Sequence, residues 1–142
     1  MPSTAVQTSV FLENRPGQLA RVTGLLTEAR VNLRAFSITE SGDFGIIRLL
    51  ADQPQKAHDA LKSHGFTVSQ TQVLAVHIPD TPGTLNRVAV ALGRGGINIE
   101  YAYVGTADGG EVLLVLKLDQ PRPGEAILRD LAVGVSGRGD VD

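Results

Sequence analysis

The sequence predicts an α+β fold made of two βαββαβ units, each with an antiparallel sheet and both helices on one face. Three observations predict it. The segment "NRPGQLARVTGLLTEARVNL" at 14–33 recurs as "DTPGTLNRVAVALGRGGINI" at 80–99, with 7 identities in 20 positions at a constant offset of 66 (82 minus 16). Pro16/Pro82, Gly17/Gly83, Leu19/Leu85, Arg21/Arg87, Val22/Val88, Leu26/Leu92 and Asn32/Asn98 are identical, while Asn14/Asp80, Val31/Ile97 and Leu33/Ile99 keep their chemistry. Strand-like and helix-like apolar spacing alternates in the same order in both copies. No Gly-, Pro- or Ser-rich linker divides them, because "FTVSQTQVLAVHI" runs from the last strand of one copy into the first of the next. A chain of 142 residues therefore divides into 1–71 and 72–142, units small enough that a shared core or an extended shared sheet is expected.

Each element has a local cause. "AVQTSVFLE" (5–13) is dominated by β-branched and apolar residues and predicts a strand. "PGQLARVTGLLTEA" (16–29) sets Leu19, Val22, Leu26 and Ala29 on one helical face, and Pro16 is tolerated in the first turn because its missing N–H had no intrahelical acceptor. "VNLRAFSITE" (31–40) and "FGIIRLLA" (44–51) flank the turn-rich "SGD" and predict a hairpin. "PQKAHDALKSHG" (54–65) predicts a helix opened by Pro54, with Ala57 and Leu61 on one side and Gly65 as a left-handed stop. "FTVSQ" (66–70) supplies a fourth strand.

The second unit repeats the order with "VLAVHI" (73–78), "PGTLNRVAVALGRG" (82–95), "INIEYAYVG" (97–105), a tight turn at Asp108-Gly109, "EVLLVLKLD" (111–119) and "PGEAILRDLA" (123–132). Its last strand is expected to be short and frayed, since "VGVSGRGDVD" (133–142) holds only a small apolar remnant before a Gly- and Asp-rich tail.

Composition excludes several classes of function. The longest apolar runs, "VAVAL" and "VLLVL", fall far below the ~20 residues of a membrane span. The chain begins without a basic segment followed by an apolar stretch and a cleavage site, so a cytoplasmic location is expected. The absence of cysteine excludes disulfides, thiolate metal sites and thiol catalysis. A net charge of −2 without blocks of like charge, and only four Phe, two Tyr and no Trp, give no footprint for nucleic acid.

The motifs "ENRPGQL...VNL" and "PDTPGTL...INI" on a βαββαβ, ferredoxin-like frame resemble the ACT domain family of small-molecule, mostly amino-acid-binding regulatory modules. The resemblance covers nearly the whole chain as a tandem pair, similar to stand-alone bacterial tandem ACT proteins that carry no catalytic domain. Two departures are visible: Ala29-Arg30 stands where the family has a glycine before Val31-Asn32, and the last strand of the second copy is weak. The resemblance implies a ligand at a junction between paired units. Its contacts would be Asn14, Arg15, Pro16, Gly17, Gln18 and Leu19 with Asn32 and Leu33 in one copy, and Asp80, Thr81, Pro82, Gly83, Thr84 and Leu85 with Asn98 and Ile99 in the other. Physical chemistry points the same way. A helix N-terminus attracts a carboxylate, glycine admits close backbone approach, and an Asn amide both donates and accepts.

Structural readings compete with these. Pro-Gly can simply start a helix, Asn14 or Asp80 can close an Asx-turn, and Asn32 or Asn98 can serve as a turn residue. His77 is read first as a partly buried, hydrogen-bonded histidine, and His58 and His64 as solvated helix residues without the i, i+4 spacing of a metal pair. Tyr101 and Tyr103 share one sheet face and are read as core or interface packing. Arg21 and Arg87 are read as exposed helix charges of small energetic weight.

The leading expectation is a non-catalytic amino-acid-binding sensor or regulatory protein, a homodimer, with a free amino acid as ligand and no cofactor, metal or catalytic residue. Its variant is a regulatory subunit with a biosynthetic partner enzyme. The competing classes are an acylphosphatase-like hydrolase on the same frame, which lacks a repeated phosphate cradle and a nucleophile-base pair here, and a pure oligomerisation module.

Overall fold

The computed structural model describes residues 2–138. The elements are β1 (Ser3–Glu13), α1 (Gln18–Glu28), β2 (Leu33–Ser41), β3 (Phe44–Ala51), α2 (Pro54–Lys62), β4 (Thr67–Pro79), α3 (Thr84–Arg94), β5 (Ile99–Gly105), β6 (Glu111–Leu118) and α4 (Pro121–Arg138). The expected strands "FTVSQ" and "VLAVHI" are one continuous 13-residue strand, β4. The chain forms two compact units, one of Val6–Gln72 and one of the residues from Val73 onward together with the start of β1.

In the first unit β3 pairs antiparallel with both β1 and β2, with Val10 opposite Ile47 on one side and Ile38 opposite Ile47 on the other. Directly opposed residues share a face, so Val10, Ile47 and Leu49 present one apolar row. Val22 and Leu26 of α1 and Ala57 and Leu61 of α2 pack into it, all essentially inaccessible. This is the amphipathic spacing of the sequence converted into buried area, with each valine or leucine side chain contributing roughly 1.5–3 kcal/mol and the Ala57 methyl less.

The second unit repeats the scheme: β6 pairs antiparallel with β4 and β5, and Val76, Leu114 and Leu116 meet Val88, Leu92 and Leu128. Core positions before the hairpin correspond at an offset of 66 (Val22 to Val88), and those after it at 67 (Leu49 to Leu116, Leu61 to Leu128). The extra residue lies in the turn: two residues join Ser41 to Phe44, whereas the β5–β6 connection is longer and uses Gly109 and Gly110 at φ 68 and 76°.

Two expectations need correction. Residues 133–138 are not strand but the continuation of α4, while 139–142 lie outside the described residues. By Leu131 the helix already has Ile127, Leu128 and Leu131 against the core, and the apolar residues that follow meet no proline to stop the helix. A mid-helix glycine such as Gly134 costs only about 1 kcal/mol relative to alanine. His77 is exposed rather than partly buried, because the alternation of β4 buries Val76 and Ile78 and turns the residue between them outward.

Candidate functional site

The repeated Pro-Gly loops connect the first strand of each unit to its first helix. Gly17 and Gly83 cap α1 and α3 with nearly identical left-handed backbones, φ 89 and ψ −11° against φ 89 and ψ −13°. An added Cβ would meet nothing within 4 Å at either position, so the backbone conformation requires glycine here and crowding does not. Neither helix has a side-chain cap, and each ladder begins one turn in, with Arg21 N–H donating to the Gly17 carbonyl and Arg87 N–H to that of Gly83, both at 3.0 Å.

The loops are tied down at their upstream ends. Asn14 N–H donates to the Asp43 carbonyl at 2.8 Å and its Nδ2 to the Gly42 carbonyl at 3.0 Å. Asp80 N–H makes the equivalent bond to Gly110 at 2.8 Å. In the second loop the Thr81 and Thr84 hydroxyls are 2.9 Å apart.

Each loop forms one wall of a pocket. In the first unit a cavity of about 160 Å³ is lined by Asn14, Arg15, Gln18 and Leu19 from the loop and helix, and by Ile38, Gly45 and Ile47 from the sheet, with Glu13 and Glu40 at its polar side. In the second, about 230 Å³ is lined by Asp80, Thr81, Thr84 and Leu85 with Val104, Val112 and Leu114. Most of the lining is equivalent, although Glu13 has Pro79 as its counterpart and the counterparts of Thr39 and Glu40 do not line the second pocket. Asn14, Arg15, Gln18, Leu19 and Ile38 become Asp80, Thr81, Thr84, Leu85 and Val104 at the offset of 66, and Gly45 and Ile47 become Val112 and Leu114 at 67. Gln18 and Thr84, the first helical residues, are polar and buried at the pocket wall.

The remaining candidates lie elsewhere. Pro16, Gly17, Pro82 and Gly83 shape the turns without lining the pockets. Asn32 and Leu33 sit at the start of β2, whereas the Asn14 loop adjoins its end, eight residues on and roughly 25 Å away along the strand. Asn98 and Ile99 sit at the equivalent end of β5. Leu33 and Ile99 pack against their cores. Asn32 and Asn98 are held by their backbones, each N–H donating to a carboxylate, Asp52 Oδ1 at 3.0 Å and Asp119 Oδ1 at 2.8 Å.

The sheet walls of the pockets were not among the sequence candidates. Their signal was the repeat itself, which the change of offset at the hairpin obscures for Gly45, Ile47, Val112 and Leu114, while Ile38 and Val104 keep the offset of 66. Among the described residues no group of three or more His, Asp or Glu is placed to hold a metal ion, and no helix is long and apolar enough to cross a membrane.

Comparison with known proteins agrees with this architecture. Residues 3–133 match the family model described as an ACT domain pair. A crystal structure of a Bacteroides thetaiotaomicron protein superposes with TM-score 0.85 at 35% identity, covering 92% of this chain and 90% of that one. The regulatory subunit of aspartate kinase from Thermus thermophilus shares the fold, with TM-score 0.67 at 16% identity over 92% of this chain and 95% of the other. A D-3-phosphoglycerate dehydrogenase from Methanocaldococcus jannaschii is 44% identical over 72 residues, which is 47% of this chain and only 14% of the dehydrogenase.

Proposed function

The chain belongs to the ACT domain family, as a pair of such domains, and from that premise we propose that it is a non-catalytic regulatory protein that binds a free amino acid in the loop pockets. The observation that carries the proposal is the pair of equivalent pockets, each placed where a strand ends, a left-handed glycine turns the chain and a helix begins without a side-chain cap. The first-turn N–H groups that the helix ladder does not use are the donors for an α-carboxylate, that of Thr84 excepted because it donates to the Thr81 carbonyl at 3.3 Å. Glu13 and Glu40 in one pocket and Asp80 in the other accept from the ammonium. Leu19, Ile38 and Ile47, or Leu85, Val104 and Leu114, face the side chain. Cavities of about 160 and 230 Å³ suit a ligand of this size, being smaller than the ~300–1,000 Å³ of drug-sized sites.

The pocket rims are apolar and open: Leu19 and Ile38 are 37% and 50% exposed, and Leu85 and Val104 are 57% and 56% exposed. A second copy of the chain covers such rims in the proposed homodimer, and its Asn32 or Asn98 then meets the ligand. Ligand binding favours one arrangement of the paired units, and this population shift is the output. The partner enzyme of the second reading, a biosynthetic dehydrogenase, is suggested by the 72-residue match to part of a D-3-phosphoglycerate dehydrogenase. That reading predicts a copurifying enzyme; a stand-alone sensor purifies alone.

A thermal-shift screen against the twenty amino acids and inorganic phosphate tests the proposal. A ligand at about 100 times its Kd adds roughly 2.7 kcal/mol, a shift of several degrees. Stabilisation by one or a few amino acids, lost in Leu19→Asp or Leu85→Asp, is expected. A response to phosphate alone favours the hydrolase, and no response at all favours an oligomerisation module.

A further inference from the structure

The first unit carries a second cavity, of about 270 Å³, that its partner unit does not repeat in chemistry. It lies around the end of β1, between the N-terminal half of α1 and the Gly65–Thr67 segment; it adjoins the loop pocket, with Leu12, Glu13, Arg15 and Gln18 bordering both, and differs from it in the wall made by Phe11, Arg21, Phe44 and Gly65–Thr67. Its lining combines three of the four phenylalanines of the chain, Phe11, Phe44 and Phe66, with two arginines, Arg15 and Arg21.

The arginines are differently held. Arg21 lies with its guanidinium carbon 4.6 Å from the centre of the Phe66 ring, and one Nη donates to the His64 carbonyl at 3.3 Å. Stacking fixes the plane of the guanidinium, and the one hydrogen bond seen among the described residues engages one of its five N–H donors. Arg15 pairs with Glu13 at 3.5 Å, but both side chains are more than half exposed, so a competing anion displaces the glutamate at little cost. Phe11 and Phe44 are 44% and 64% exposed, large aromatic surfaces left in water beside two cations. Because Phe11 lies opposite Ile46 and Glu13 opposite Phe44, both rings project from the same sheet face, the one opposite the Val10 and Ile47 row that packs α1, and they reach the cavity around the end of β1.

The second unit keeps Arg87 at the position of Arg21 but replaces the rest. His77 stands for Phe11 and Thr81 for Arg15 at the offset of 66, and Glu111 stands for Phe44 at 67. Glu13, which also lines the first cavity, has Pro79 as its counterpart, so the second unit keeps one carboxylate at the mouth, Glu111, but loses the Arg15 cation and both exposed rings.

We propose that the Val6–Gln72 unit has a second ligand site at this cavity, selective for a small planar aromatic carboxylate, and that the other unit lacks it. The carboxylate is held by Arg15 and Arg21 and the ring lies against Phe11 and Phe44. The site requires no α-amino group, which separates it from the amino-acid reading of the loop pockets. It gives the chain a second chemical input on one unit only.

Because the chain contains no tryptophan, indole-3-acetate is a direct fluorescent probe, followed by anisotropy on titration with the full-length protein. Saturable binding is expected, with indole itself, lacking the carboxylate, bound at least about tenfold more weakly, the equivalent of 1.4 kcal/mol. Phe44→Ala, at an exposed position that folding does not need, and Arg21→Gln each weaken the probe about tenfold. Leu85→Asp, in the other unit's pocket, leaves it unchanged. The proposal is overturned by absence of saturable binding to millimolar protein, by equal binding of indole, by unchanged affinity in Phe44→Ala and Arg21→Gln, or by loss in Leu85→Asp.

Discussion

Asp52 Oδ1 accepts the backbone N–H of Asn32 at 3.0 Å while the Asp52 N–H donates to the Asn32 carbonyl, also at 3.0 Å, so a single aspartate clasps the start of β2 to the end of β3. Asp119 repeats the clasp on Asn98 at 2.8 and 3.1 Å. Behind each, a glutamine amide reaches a carbonyl: Gln53 to Arg30 at 3.2 Å and Gln120 to Gly96 at 3.1 Å. Both pairs belong to an Asp-Gln-Pro triplet, 52–54 and 119–121.

The Asp52 side chain is exposed, so its hydrogen bond contributes only about 0.5–1.5 kcal/mol. Asp52→Ala is expected to lower the unfolding free energy by about 1 kcal/mol. Asp52→Asn keeps the acceptor oxygen and loses less. Urea denaturation measures both, and equal losses in the two variants would remove the hydrogen bond as the cause.

Arg30 adopts φ 60° at the position equivalent to Gly96, φ 75°, and is the only non-glycine residue with positive φ among the described residues. The left-handed conformation costs a residue with a Cβ roughly 1–2 kcal/mol, partly offset by the greater unfolded freedom of glycine. Arg30→Gly should therefore stabilise the chain by about 0.5–1 kcal/mol. Gly96→Ala should destabilise it by a comparable amount. A melting temperature that falls in Arg30→Gly would mean that the arginine side chain outweighs the backbone strain.

Ala51 and Ala57 in the first core correspond to Leu118 and Gly124 in the second, an exchange of one large and one very small residue for two small ones. A Cβ on Gly124 would stand 2.3 Å from Leu118 Cδ1, whereas one on Gly24 in α1 meets nothing within 4 Å. Gly24→Ala should gain about 1 kcal/mol from helix propensity, and Gly124→Ala should gain nothing or lose stability through overpacking. Leu118→Ala should cost about 2–5 kcal/mol and reverse the sign of Gly124→Ala, since the new methyl then enters a cavity. Strict additivity in this double-mutant cycle would contradict the packing account.

The duplicated segment made most of the fold legible. Val22, Leu26, Val88 and Leu92 occupy the core faces that their spacing predicts, whereas Pro16 and Gly17, read from the sequence as the first turn of the helix, lie before it: Gly17 is a left-handed cap and α1 begins at Gln18. Less legible was whatever depends on partners distant in sequence. Ile38, Ile47, Val104 and Leu114 look like ordinary strand residues until sheet register places them across from the loops. Arg21 looks like a surface charge until the chain after α2 brings Phe66 beneath it. Asn32 and Asn98 stand out through repetition; the aspartates that clasp their backbones follow the hairpin, where the offset has already changed by one, and the clasp engages only main-chain N–H and C=O groups, leaving the amide side chains to the proposed ligand contact.

The central claim is that an amino acid sits at the N-termini of α1 and α3. A ¹⁵N-¹H correlation titration of the labelled full chain, with the amino acid that most raises its melting temperature, tests it most directly. The account predicts saturating shifts that are largest at the amides of Gly17–Leu19, of Gly83–Leu85, or of both. Shifts that fail to saturate for every amino acid, or that centre away from both loops, would contradict it.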